Sequence, residues 1–187
     1  MKRFVLLAAF VSMSTPGQVC ADAQDSEDPG ISALRDQNVI FVGFHPRTDS
    51  YVGRITFVAL GQSWKGGDET LQAITDYPVM LLNLHRSPEI SDATLAALRG
   101  IETRYLKIQY VQITDKGLDH LTTITGLKSL TLKRLPVTDA GIPALSKLKT
   151  LKRLNLWGTQ VTMEGAAELR KALPDCDIRF NAWNRIE

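Results

Sequence analysis

Between Leu127 and Leu173 the chain writes one pattern twice, 24 residues apart. Leu127, Leu130, Leu132, Val137, Gly141 and Leu145 recur as Leu151, Leu154, Leu156, Val161, Gly165 and Leu169. No other feature constrains the fold as strongly. A fixed period of about 20–29 residues headed by LxxLxL marks a strand-plus-helix unit that cannot bury its apolar side alone and must stack on its neighbours. Stepping back by the same interval gives Leu106 and Ile108, then Leu82 and Leu84, then Val58 and Leu60; stepping forward gives Ile178 and Phe180. Each unit reads as a three-residue strand, a turn and a short helix. Ser91-Asp92, Thr114-Asp115 and Thr138-Asp139 mark helix starts, as oxygen-bearing side chains that accept from free backbone amides and suit the positive helix end. Met163-Glu164 takes their place in the last full unit. The expected fold is α/β: a solenoid with parallel strands on one face, short helices on the other, and an N-terminal cap.

The segments outside this array divide the chain further. Met1-Lys2-Arg3 is a basic start, Phe4 to Val11 a continuous apolar run, and Val19-Cys20-Ala21 a small-residue site, so 1–21 reads as a secretory signal peptide. The apolar run is too short to span a bilayer. Residues 22–30 are acidic and end in Pro29-Gly30, the composition of a flexible linker. Residues 31–57 hold two β-rich runs and read as the N-terminal cap, 58–180 as the solenoid, and 181–187 as a C-terminal tail.

The leader changes what the charge implies. It contains Lys2 and Arg3 and no acid, so the mature chain would carry 20 basic and 20 acidic residues, and net charge gives no argument for nucleic acid. Cys20 would leave with it. Cys176 would then have no intramolecular partner, which excludes disulfide stapling as the source of stability in an exported domain. Gly17-Gln18-Val19 lacks the leucine and small residue that usually precede a lipidated cysteine.

The repeated phrases Val137-Thr-Asp-Ala-Gly-Ile142 and Ile113-Thr-Asp-Lys-Gly-Leu118, with the ending Leu169 to Ile178, resemble leucine-rich repeats. They look like a short, exported bacterial variant of the cysteine-containing class, of the planctomycete type. The resemblance covers about residues 55 to 180 and weakens toward the N-terminus, where Gly66-Gly67 stands in the place of Ile-Thr. It implies a curved solenoid whose strands line a concave binding face, without implying a ligand. One column departs from the family pattern. Ser63, Ser87, Val111, Leu135 and Thr159 include two apolar residues where a polar ladder is usual, so backbone bonds must join the turns there.

Strand alternation sends Leu130 and Leu132 inward and Ser129, Thr131 and Lys133 outward. Extended down the stack, it yields three rows. The first is Leu81, Tyr105, Ser129, Arg153 and Asp177; the second Asn83, Lys107, Thr131, Asn155 and Arg179; the third His85, Gln109, Lys133, Trp157 and Asn181. The candidate binding residues are Asn83, His85, Tyr105, Lys107, Gln109, Thr131, Lys133, Arg153, Asn155, Trp157 and Arg179. The alternative is a solvated sheet face whose aromatics cover neighbouring strands.

The remaining chemistry is sparse. Asp68, Asp92, Asp115 and Asp139 share a column, but helix capping accounts for each, and no second carboxylate row completes an oxygen cage for a metal. His45, His85 and His120 stand apart, and no zinc spacing, phosphate loop or nucleophile elbow is present. Cys176 reads as a small apolar plug in the closing cap, with Trp64 and Trp183 as end packing. The reading is a non-enzymatic, protein-binding module exported to the periplasm, cell surface or medium, with no cofactor or metal. Its partner is a protein, with an anionic envelope component as the other candidate; nucleic acid and a membrane span in the mature chain are not expected. A structural or adhesion role in the cell envelope is the main alternative, ahead of an enzyme or its regulatory subunit.

Overall fold

The computed structural model describes residues 40–41, 55–62, 64–65, 71, 74–75 and 79–180. The leader at 1–21, the linker at 22–30, most of the cap at 31–57, and the tail at 181–187 lie outside the described residues. So do His45, Ser63, Gly66-Gly67, Asp68, Asn181 and Trp183.

Among the described residues, seven strands form one open sheet in sequence order: β1 (Ile40–Phe41), β2 (Ile55–Leu60), β3 (Val79–His85), β4 (Thr103–Gln109), β5 (Ser129–Lys133), β6 (Arg153–Asn155) and β7 (Asp177–Arg179). The chain is α/β. β1 pairs with β2 antiparallel, and every later neighbour is parallel. Parallel neighbours need a crossover between them. Here it is supplied after β3 by α1 (Asp92–Ala97), and after β4 by α2 (Asp115–Leu118), which continues as a 3-10 turn over Asp119–Thr123. After β5 it is a 3-10 turn at Asp139–Gly141 leading into α3 (Ile142–Leu145), and after β6 it is α4 (Met163–Ala172).

The register advances in steps of 24. Leu82 lies opposite Leu106, Leu106 opposite Leu130, Leu130 opposite Leu154, and Leu154 opposite Ile178. Leu82, Leu84, Ile108, Leu130, Leu132 and Leu156 have no measurable exposure, and they join Leu95, Leu98, Leu118, Leu121, Leu145 and Leu169 from the helical segments in one apolar cluster. The inward leucines therefore fix which side of the sheet the helices cover, and the other side is left open.

Two differences from the sequence reading have clear physical origins. β3 and β4 run to seven residues rather than three. Their starts are held by Val79 and Thr103, both buried, with the Val79 amide bonded to the Glu102 carbonyl and the Thr103 hydroxyl donating to the carbonyls of Met80 and Tyr105.

The aspartates at the helix starts do not cap their own helices either. Asp92, Asp115 and Asp139 each reach the next turn, where one carboxylate oxygen accepts the amide and the other the hydroxyl of Thr114, Thr138 and Thr162 respectively, at 2.6–2.9 Å. Thr138 and Thr162 use the same hydroxyl to accept from Ala140 and Gly165, so one side chain caps its helix and joins two turns. Met163 stands where the next aspartate would be, and the series stops.

On the far side of the strands, where Val111 and Leu135 interrupt the polar column, main-chain bonds join the turns. The amides of Arg86, Tyr110 and Arg134 donate to the carbonyls of Gln109, Lys133 and Trp157 at 2.9–3.1 Å. Val111 and Leu135 are buried beneath them. Ser87, in the same column, donates its hydroxyl to the Trp64 carbonyl at 3.4 Å.

Candidate functional site

Successive residues of a strand point to opposite sides, and strands sit about 4.8 Å apart, so every outward position lies beside its counterpart on the next strand. The register aligns Leu81, Tyr105, Ser129, Arg153 and Asp177 in one row, and Asn83, Lys107, Thr131, Asn155 and Arg179 in the next. His85, Gln109 and Lys133 begin the third row, and Trp157 follows just past the end of β6. The side chains on these rows are half-buried or exposed.

The charges on the rows are unequal. Arg179 is held by Asp177, its Nε donating to a carboxylate oxygen at 2.9 Å, so that pair is internally neutral. Lys107, Lys133 and Arg153 have no acidic side chain within salt-bridge distance among the described residues. At the other end of the rows, Asn83 Oδ1 and His85 Nδ1 are shielded from solvent with no hydrogen-bond partner among the described residues. The His85 ring lies over Gly61, where a Cβ would sit 3.1 Å from its Cε1.

One group of side chains gathers more tightly than the rows require. Arg86, Tyr110 and Arg134 have φ of 50°, 54° and 51°, and Gly158, in the same column one turn on, has φ of 71°. A left-handed residue ends strand alternation, so these side chains, whose parity would otherwise send them toward the core, emerge at the strand ends. There they meet the third row. The Arg86 guanidinium carbon lies 5.0 Å from the Tyr110 ring centre and that of Arg134 5.8 Å from it. Lys133 Nζ sits between two rings, 4.6 Å from Trp157 and 5.7 Å from Tyr110, while Arg134 approaches Trp157 at 5.9 Å.

Cations at these distances over aromatic rings are attracted by the ring quadrupole, by about 0.5–1 kcal/mol each at exposed sites. Asn155 adds a positioning contact, its side-chain oxygen accepting the Trp157 amide at 3.0 Å. Tyr110 and Trp157 are each 37% exposed, which is high for such large rings.

A comparison with protein-family models and with curated proteins finds no match to this chain. The site is therefore read from its own chemistry. The structure brings Lys133 and Trp157 into contact, and it aligns Asn83, Lys107, Thr131 and Asn155 in one row and Tyr105 and Arg153 in another. Gln109 lies between His85 and Lys133. Arg86, Tyr110 and Arg134 were not among the residues the alternation rule selects. The signal for them was the glycine at 158, which marks its whole column as a left-handed position. No group of three or more histidine, cysteine, aspartate or glutamate residues able to hold a metal occurs among the described residues. No helix among them is long and apolar enough to cross a membrane.

Proposed function

We propose that this chain is a leucine-rich-repeat-type solenoid that works as a recognition module, binding a protein partner through the open face of its sheet. The observation that carries the reading is the concentration on that face of half-exposed rings and of cations with no acidic partner among the described residues: Lys107, Lys133 and Arg153 with Tyr105, Tyr110 and Trp157. Tyrosine, tryptophan and arginine are the residue types that dominate binding energy at protein interfaces. The 24-residue register and the strand–helix alternation support the repeat assignment. The leader-like residues 1–21 support export to the periplasm, the cell surface or the medium. We assign this face to recognition rather than catalysis.

Affinity capture from the native cell envelope with the full chain supplies the partner for the test. The double variant Lys133→Glu/Trp157→Ala should weaken binding of that purified partner by about tenfold or more. Lys116→Glu/Lys171→Glu, on the helical side, should leave it unchanged. The opposite pattern would assign binding to the helices.

A further inference from the structure

Taking the open sheet face as a recognition surface, we propose that the ridge of Arg86, Tyr110, Lys133, Arg134 and Trp157 receives an acidic segment of a protein, with aspartate and glutamate carboxylates on its cations.

Three observations lead there. The first is conformational. Three turns place Arg86, Tyr110 and Arg134 in the left-handed region, where a non-glycine residue is strained, while the fourth turn uses Gly158. The turn geometry itself is satisfied by glycine, so these side chains answer to something other than the backbone. A Cβ at 158 would lie 2.9 Å from Arg134 Cγ, so Gly158 leaves the room through which the Arg134 side chain passes toward Trp157.

The second is electrostatic. Arg86, Lys133 and Arg134 meet rings and no carboxylate among the described residues. Their charge is held in place but not neutralised, and Arg86 and Arg134 present planar forks suited to bidentate carboxylates. Asp115 and Asp139 bond Thr138 and Thr162, and Asp177 bonds Arg179.

The third concerns the rings. Among the described residues, Tyr110 is approached by three cations and Trp157 by two. A nucleobase or a sugar stacking on the ring faces that these cations cover would have to displace them. A carboxylate meets the outer side of the cations and leaves the rings where they are. A dense polyanion gains affinity in proportion to the charges it finds, and this ridge offers three. A protein segment adds apolar contact with the exposed ring edges.

The test is fluorescence anisotropy of a labelled random glutamate–tyrosine copolymer with the full chain in about 0.15 M salt. Heparin and single-stranded DNA of matched charge serve as competing probes. The copolymer should bind more tightly than either competitor. Lys133→Gln/Arg134→Gln should weaken it by about tenfold or more, while Lys116→Gln/Lys171→Gln should stay within about twofold of the parent. Tighter binding of heparin or DNA, or no binding of the copolymer, overturns the acidic-protein assignment. Copolymer binding that survives the ridge variant but is lost in Lys107→Gln/Arg153→Gln overturns the ridge and keeps the sheet face. Indifference to both pairs removes both. Cooperative urea unfolding with a midpoint close to the parent's shows that each variant is folded.

Discussion

Asp115 accepts two hydrogen bonds from Thr138, a residue one turn further on: its Oδ1 takes the amide at 2.8 Å and its Oδ2 the hydroxyl at 2.7 Å. Asp92 and Asp139 treat Thr114 and Thr162 in the same way. Hydrogen bonds to charged groups contribute about 1.5–3 kcal/mol when shielded and less when solvated. Asp115→Ala should therefore lower the unfolding free energy by about 2 kcal/mol. Asp92→Ala, whose bonds are more exposed, should cost less. The check is urea unfolding of Asp115→Ala, Thr138→Val and the double variant. A coupling of about 1 kcal/mol is expected, and strict additivity would mean that the bond contributes nothing.

The glycines opposite these carboxylates follow from the same contact. A Cβ at Gly141 would lie 2.7 Å from Asp115 Oδ1 and 2.6 Å from Leu118 Cδ1, and one at Gly165 would collide with Asp139 Oδ1. Alanine is ordinarily the better helix former by about 1 kcal/mol. Here Gly141→Ala and Gly165→Ala should instead destabilise by about 1–3 kcal/mol, because the carboxylate must leave its threonine. In the double variant Gly165→Ala/Asp139→Ala the loss should fall well short of the two single losses combined, as read by the same denaturation.

The strained ridge predicts that stability and binding separate. Asparagine tolerates the left-handed region better than arginine. Arg134→Asn should match or exceed the parent stability, by up to about 1 kcal/mol, while losing affinity for an acidic partner. Thermal unfolding and copolymer binding on one preparation check both halves. A clear loss of stability would mean that Arg134 is retained for packing.

The inward leucines were legible because burial imposes strict periodicity on them: Leu82, Leu106, Leu130 and Leu154 follow from the 24-residue interval and emerge as neighbours. The outward rows followed from alternation alone. The roles of Asp92, Asp115 and Asp139 were misread, since an aspartate beside a threonine at a helix start is a local capping signal. Its true partner lies 22 or 23 residues away, and only the stacked geometry brings the two together. Arg86, Tyr110 and Arg134 were missed because alternation presumes extended backbone and these residues leave it.

Cys176 offers an independent check on the end of the array. Burial first, and then the neighbouring Asp177 charge, push its thiol pKa up, while Lys152 pulls it down. A raised pKa leaves less thiolate at neutral pH, so alkylation by iodoacetamide should be slower than for a small free thiol. Asp177→Asn should speed it and Lys152→Ala slow it further, followed by mass spectrometry. Rapid alkylation in the parent would mean that the packing around Leu173 and Cys176 is looser than the structure has it.

The most direct measurement of the binding face is a two-dimensional NMR titration of the isotope-labelled full chain with the glutamate–tyrosine copolymer. Shifts should concentrate at the Trp157 indole, the Arg86 and Arg134 guanidinium groups and the amides of Gln109, Tyr110 and Lys133. Shifts concentrated instead at Lys116, Lys147, Arg170 and Lys171, on the helical side, would contradict it.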